Sequence, residues 1–150
     1  MKAEIIQVLA SFVGSFGFAV LYNLRGKKLC MAGISGMVSW IAYLIVWNEM
    51  PSTFVANLAA AAVATIYAET MARILKTPVT VFLITGIIPL VPGGLAYDAT
   101  KNLVLLNFST AINTMLEVTL IAGAIALGLL FADQISKLIV SGFVKSFKRL

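Results

Sequence analysis

Two ionisable side chains, Glu69 and Arg73, lie four residues apart in a segment otherwise apolar enough to cross a membrane. An acidic residue one helical turn before a basic one is the favoured order for an ion pair. Charged groups at membrane depth often handle ions or substrates. We therefore predict that Glu69 takes up a proton or contacts a cationic group and that Arg73 attracts a carboxylate. The alternative is a structural ion pair at the membrane edge, where Arg73 extends towards water.

A third ionisable residue, Glu117, lies one turn after Asn113 in a later apolar segment and has no basic partner in its own helix. If it faces protein, burial favours the neutral carboxyl group and makes Glu117 a candidate proton carrier. If it faces the headgroups, water solvates it and no role follows. Both interpretations stay open.

The segment Gly86–Gly94 interrupts a fourth apolar stretch with two prolines and two adjacent glycines. Each proline removes an amide donor and clashes with the preceding helical turn. Broken backbone is tolerated at membrane depth only where protein or water satisfies it, and interrupted helices are where transporters tend to bind substrates. We predict a substrate path here, with a simple proline kink as the alternative. The predicted path comprises Pro89, Pro92, Gly93, Gly94 and, at its outer mouth, Tyr97.

The third apolar segment carries two rows of residues spaced four apart. One row is all alanine, and the other contains polar side chains, among them Asn57 and Thr65. Small residues let membrane helices approach closely, and polar ones hydrogen-bond across the contact. We add Asn57 and Thr65 to the predicted substrate path. The alternative is a tightly packed helix whose polar atoms bond to neighbouring helices.

The residue types that most enzymes and metal sites need are scarce. The 150 residues include no histidine and one cysteine, Cys30, and the six acidic residues are scattered singly. A disulfide within the chain, a zinc site with its usual ligands and a Ser-His or Cys-His pair are therefore excluded. We predict a protein that is not an enzyme and uses no metal or cofactor.

The composition is that of an integral membrane protein. Hydrophobic residues make up 61% of the chain and charged residues 11%, against about 25% charged in soluble domains, and the mean hydropathy is +1.01. A helical span needs about 20 apolar residues. We predict one all-α transmembrane domain over residues 1–150, with its fourth helix interrupted. The predicted spans are residues 5–24, 29–47, 53–75, 79–97 and 111–131.

The basic residues predict the orientation. All but two of the eleven lysines and arginines fall on one side of the five spans, and the exceptions are Lys2 and Lys101. Because basic residues concentrate on the cytoplasmic side, we predict an outside N-terminus and a cytoplasmic C-terminus. The formal charge of +5 comes from residues at helix ends and does not indicate nucleic-acid binding.

Two amphipathic stretches flank the last span. Residues 98–108 are too short and polar to cross, so we predict that they lie at the outer interface. Residues 133–150 continue with helical periodicity and lysines between apolar positions. Such a basic helix rests on anionic lipid or contacts another subunit, and both interpretations stay open. Its predicted apolar face comprises Ile135, Leu138, Ile139, Gly142, Phe143 and Phe147.

The residues around the break resemble the signature segment of the threonine/serine exporter family. The matching residues are Lys76-Thr77-Pro78, Phe82, Gly86-Ile87-Ile88-Pro89-Leu90-Val91-Pro92-Gly93 and Tyr97. The whole chain resembles the short form of that family, a separate small membrane subunit equivalent to the C-terminal half of the full-length exporters.

This resemblance implies proton-driven export of small hydrophilic metabolites, either amino acids such as threonine and serine or dicarboxylates. It implies a secondary transporter of the inner (cytoplasmic) membrane that works with a larger membrane subunit. A homo-oligomer is the other assembly that we consider. The alternative function is a scaffold or regulatory membrane subunit that transports nothing.

Overall fold

The computed structural model describes the backbone of residues 2–147 and the side chains of residues 2–138. The described chain is helical and contains no strand, which confirms the predicted all-α class. Its elements are α1 Lys2–Leu21, α2 Lys27–Glu49, α3 Thr53–Leu75, α4 Val79–Ile87, a 3₁₀ turn Ile88–Leu90, α5 Gly93–Val104 and α6 Phe108–Phe147.

Within the described residues, four continuous helices are long and apolar enough to cross a membrane, namely α1, α2, α3 and α6 as far as Leu138. A fifth crossing requires α4 and α5 together, which bend by 54° at the residues between them. α4 and the 3₁₀ turn cover only about 19 Å, little more than half of a hydrocarbon core of about 30 Å. The bend therefore falls near the middle of a crossing.

The contacts between α3 and α6 show that the broken pair completes a crossing. Gly128 of α6 lies against the backbone of Leu58, and Ser136, about two turns later, hydrogen-bonds Glu69. Because both helices advance in the same direction, they run parallel. The chain between them must then return from one end of the bundle to the other, so α4 and α5 form a broken span rather than a re-entrant loop.

Five alternating crossings give the bundle two distinct ends. We call the end where α3 stops and α4 starts the basic end, because Arg73 and Lys76 lie there together with Arg25 of the α1–α2 connection and Lys27 and Lys28 at the start of α2. The opposite end, which contains the α2–α3 connection, is the Pro51 end. The predicted cytoplasmic side corresponds to the basic end.

Helix α3 is the centre of the bundle and packs against α2, α4 and α6. Lipid tails are as apolar as the protein, so close van der Waals packing rather than burial from water holds such helices together. The alanine row of α3 allows this close approach on several sides, and each of its members is buried. These residues are Ala56, Ala60, Ala64, Ala68 and Ala72.

The predicted boundaries around α5 and α6 differ from the structure. α5 begins at Gly93, so it includes the last part of the predicted fourth span as well as most of the predicted interfacial segment. The backbone of α6 continues without a break past Phe131, because residues 132–133 contain neither proline nor glycine to end the helix. Residues 133–147 of the predicted 133–150 helix thus continue α6, and residues 148–150 lie outside the described residues. Of the predicted apolar face of that helix, Ile139, Gly142, Phe143 and Phe147 lie outside the residues whose side chains are described.

Candidate functional site

The backbone leaves the α-helix over residues 88–92, which we call the break. The 3₁₀ turn is followed by Val91, which is extended with φ −65° and ψ 125°, and by Pro92, with φ −79° and ψ 53°. The Gly93 amide donates to the Val91 carbonyl at 2.8 Å, which makes Pro92 the centre of an inverse γ-turn. Gly93 and Gly94 then begin α5, so the unwound backbone ends before the glycines.

Hydroxyl groups of α2 satisfy backbone carbonyls beside the break. Ser39 Oγ donates to the Gly86 carbonyl at 2.6 Å, and Ser35 Oγ donates to the Phe82 carbonyl at 2.8 Å. The Gly86 carbonyl lies in the last turn of α4, where carbonyls have no partner within the helix, and at membrane depth an unsatisfied group is costly. α2 therefore stabilises the end of α4 at this point. Gly86 permits the approach, since a side chain there would collide with Ser35.

A cavity of about 280 Å³ lies against the break, towards the Pro51 end, and we call it the break cavity. Four predicted site residues from three separate segments line it: Pro89, Pro92, Asn57 and Glu117. The remaining lining residues are Trp40, Tyr43, Thr53, Leu90, Val91, Leu95 and Ile121. The structure thus brings together residues that lie up to 60 positions apart in the sequence.

The polar groups of the break cavity differ in how they are held. Asn57 is buried, and its side-chain amide donates to the Thr53 carbonyl at 2.7 Å. Glu117 is exposed, and within the described part of the chain its carboxylate has no hydrogen-bond or ion-pair partner. It is also the one charged side chain among the described residues that line the cavity. Its carboxylate is therefore available to a cationic ligand.

The break cavity has an aromatic wall that was not predicted from the sequence. Trp40 and Tyr43 stack with ring centroids 4.8 Å apart, and Tyr43 stacks on Trp47 at 5.9 Å. The 40, 43, 47 spacing places the three rings on one helical face. Because tryptophan and tyrosine are also common at membrane interfaces, this pattern alone did not indicate a cavity.

A second cavity of about 260 Å³ lies on the α1 side of the break. Its lining includes Gln7 and Ser11 of α1, and it shares Trp40 and Pro89 with the break cavity. The Trp40 indole donates to Gln7 Oε1 at 3.4 Å. Trp40 and Pro89 therefore separate the two spaces.

The predicted Glu69–Arg73 ion pair is present near the basic end. Arg73 Nη2 lies 2.9 Å from Glu69 Oε2, and Ser136 of α6 donates to the same oxygen. Glu69 is buried, and its other oxygen, Oε1, is buried without a partner among the described residues. The Arg73 side chain is 55% exposed. We call Glu69, Arg73 and Ser136 the polar cluster.

The other predicted site residues lie outside the break cavity. Thr65 is buried and donates to the Ala61 carbonyl of its own helix at 2.9 Å. Tyr97 is 69% exposed on α5, and Gly93 and Gly94 are exposed at the start of that helix. No group of acidic residues or cysteine in the described region is arranged to hold a metal ion.

Comparison with known proteins identifies the family. A family model described as "Threonine/Serine exporter, ThrE" matches residues 7–135. The chain belongs to the threonine/serine exporter family. The match includes the break, the break cavity and the Glu69–Arg73 pair, and membership supports an exporter-type role in membrane transport. No curated protein and no solved structure matches this chain.

Proposed function

We propose that this chain is a membrane subunit of an exporter of small hydrophilic amino acids of the threonine and serine type, and that the break cavity is part of the substrate path. The observation that carries the proposal is the convergence of Pro89, Pro92, Asn57 and Glu117 on one cavity at a helix break. Transporters of several folds bind substrates where a spanning helix is interrupted.

The carboxylate of an amino acid fits the start of α5. Pro92 and Leu95, which flank the first turn of this helix, line the cavity. The Gly93 amide donates to the Val91 carbonyl, whereas the next first-turn amides lack partners within their helix, and the helix dipole adds a partial positive charge at that end. An anionic group at this position would therefore be stabilised without a basic side chain.

The ammonium group of an amino acid fits the anionic and aromatic groups of the same cavity. Glu117 supplies a carboxylate that can accept a charge-assisted hydrogen bond, and the faces of Trp40 and Tyr43 attract cations. No basic side chain is among the described lining residues. These features favour a zwitterion over a dicarboxylate, whose second negative charge would meet Glu117.

Energy coupling and assembly belong to the same proposal. We propose that the proton gradient drives export, with Glu69, Arg73 and Glu117 as the candidate charge-handling groups.

The break cavity is open on one side, and a larger membrane subunit or a second copy of this chain would complete its wall. In this proposal the assembly lies in the cytoplasmic membrane and the basic end of the bundle faces the cytoplasm. The lysine-rich last part of α6 then contacts anionic lipid or the partner.

Replacing Glu117 tests the proposal. Glu117→Gln keeps the size of the side chain and removes its charge, so we expect threonine export to fall severalfold with unchanged amounts of assembled protein. The measurement is export from cells that also produce any partner the chain needs. The matched control is Glu49→Gln, which removes a carboxylate at the exposed end of α2, away from the cavity, and we expect it to export normally.

Normal export by both Glu117→Gln and Asn57→Ala, at normal assembly, would contradict the proposal. Those results would favour the scaffold alternative, in which the residues of this chain matter only for assembly.

A further inference from the structure

Helices α3 and α6 meet at two polar places, one near each end of the bundle. Towards the Pro51 end they contribute Asn57 and Glu117 to the break cavity. Towards the basic end they are joined by the Ser136–Glu69 hydrogen bond of the polar cluster. The same pair of helices therefore borders an open space at one end and is held together at the other.

Between these two places the helices touch through backbone. A Cβ atom at Gly128 would collide with the Leu58 carbonyl and approach the methyl group of Ala61. Gly128 lies about 16 Å along α6 from Glu117 and about 12 Å from Ser136, at 1.5 Å per residue. A small tilt of α6 about this contact would move its two ends in opposite directions relative to α3.

Few hydrogen bonds hold the buried carboxylate of Glu69 in the polar cluster. Glu69 Oε2 accepts from both Arg73 and Ser136, but Oε1 is buried with no partner in the described structure. Leaving a buried acceptor unsatisfied is costly. Within the described residues, both polar links from α3 to α6 here go through Ser136, whose hydroxyl donates to Glu69 and accepts from Arg73 Nη2 at 3.4 Å. Loss of that one hydroxyl group would therefore remove these polar links between the two helices.

We propose that the polar cluster is the cytoplasmic gate of the pathway, closed in this structure, and that α6 opens it by tilting about Gly128 while the break cavity narrows. This inference rests on the proposed function, since it assigns where substrate from the cytoplasm is admitted to the path. An exporter must expose its binding site to the two sides of the membrane in turn. A tilt of α6 that opens the polar cluster while it narrows the break cavity would produce this alternation. The exposed guanidinium of Arg73 is positioned to meet an incoming carboxylate when the gate opens.

The surroundings of the cluster contain few competing charges. On α6, Asp133 and Lys137 pair with each other at 2.6 Å. α4 packs against α3 and has no titratable side chain. α2 contacts this part of α3 through Met31, whose carbonyl accepts from the Tyr67 hydroxyl at 3.0 Å. The Ser136–Glu69 bond is thus the polar connection that a gate variant should remove.

Accessibility to a membrane-impermeant thiol reagent tests the gate without knowledge of the substrate. The reporter is Thr53→Cys, which lies on the wall of the break cavity, in a chain whose native cysteine is removed by Cys30→Ser. We expect Ser136→Ala to lower the labelling rate of this reporter from the Pro51 side by about tenfold, the population shift that corresponds to one hydrogen bond to a charged group. The matched control is Ser15→Ala, the same change at a buried serine of α1 that faces α2 and whose hydroxyl has no hydrogen-bond partner among the described residues, and its labelling should be unchanged.

Unchanged labelling in Ser136→Ala, or an equal change in Ser15→Ala, would overturn the gate. A second variant, Ser136→Thr, keeps the hydroxyl donor, so we expect its labelling rate to stay close to that of the parent chain. A loss of labelling in Ser136→Thr as large as that in Ser136→Ala would also overturn the gate. Failure of the substrate path would instead appear as normal export by Glu117→Gln, with the labelling results unaffected.

Discussion

At the scale of single residues, the α3–α6 contact depends on the absence of one side chain. Gly128 places the α6 backbone against the carbonyl of Leu58, and any Cβ would force the helices apart. Gly123, one and a half turns earlier on the same helix, has nothing within 4 Å of its Cβ position. Comparing substitutions at Gly128 and Gly123 therefore distinguishes the packing role of Gly128 from the general effect of glycine on helix stability.

We predict that Gly128→Ala lowers the stability of the protein by about 1–3 kcal/mol, the usual cost of adding a group to a well-packed contact. The measurement is thermal or denaturant unfolding in detergent. Gly123→Ala should show no loss, because alanine favours the helix and meets open space. Equal losses in both variants would mean that α6 does not rest on α3 at Gly128.

The residues that sequence could identify are those whose partners lie nearby in the chain. Glu69 and Arg73 are one turn apart, so their ion pair follows from helix geometry. Ser136 bonds the same carboxylate from 67 residues away, and Trp40 reaches the break cavity from α2. Neither contact has a local signal, because both depend on how the helices pack.

At the scale of elements, the broken span has a defined physical origin. Pro89 and Pro92 cannot donate backbone hydrogen bonds, and the Ser39 hydroxyl donates to the nearby Gly86 carbonyl. Leu90 of the 3₁₀ turn packs into a buried cluster with Ile121 and Ile125 of α6. The break is therefore held between α2 and α6 rather than left mobile by its prolines.

Restoring the amide at the centre of the turn should change this element. We predict that Pro92→Ala lowers export severalfold at normal assembly, since it permits the helix to continue and alters the cavity wall. Export measured in cells provides the test, with Pro78→Ala as the control, because Pro78 is an exposed residue at the start of α4. Gly93→Ala should have little effect, as the position is helical and open. If Pro92→Ala and Pro78→Ala export equally, the break is a structural kink.

Hydropathy and proline placement predicted most of the elements, and α3 has the predicted bounds of 53–75. They did not predict where α5 starts. Gly93 and Gly94 follow Pro92 directly and already have helical backbone, so the irregular segment ends at Pro92. They also placed a boundary after Phe131 where α6 continues. A change from apolar to amphipathic sequence alters the surroundings of a helix without breaking its backbone.

At the scale of the whole molecule, the five crossings place a cavity near one end of the bundle and a buried ionic cluster near the other. Both are built from α3 and α6, and the broken span adds the start of α5 to the cavity alone. We propose that substrate occupies this cavity during export. Membership of the exporter family supports the transport role. The position of the helix break supports this location for the substrate within the fold.

Protection of a cavity cysteine by substrate tests that claim most directly. In a Cys30→Ser chain, Leu95→Cys places a thiol on the cavity wall, and Tyr97→Cys places one on the outer face of α5, two residues away and outside the cavity. The measurement is the labelling rate of each thiol from the Pro51 side with and without threonine. We predict that threonine slows labelling of Leu95→Cys and leaves Tyr97→Cys unchanged. No protection at Leu95→Cys, or equal protection at both positions, would mean that threonine does not occupy the break cavity.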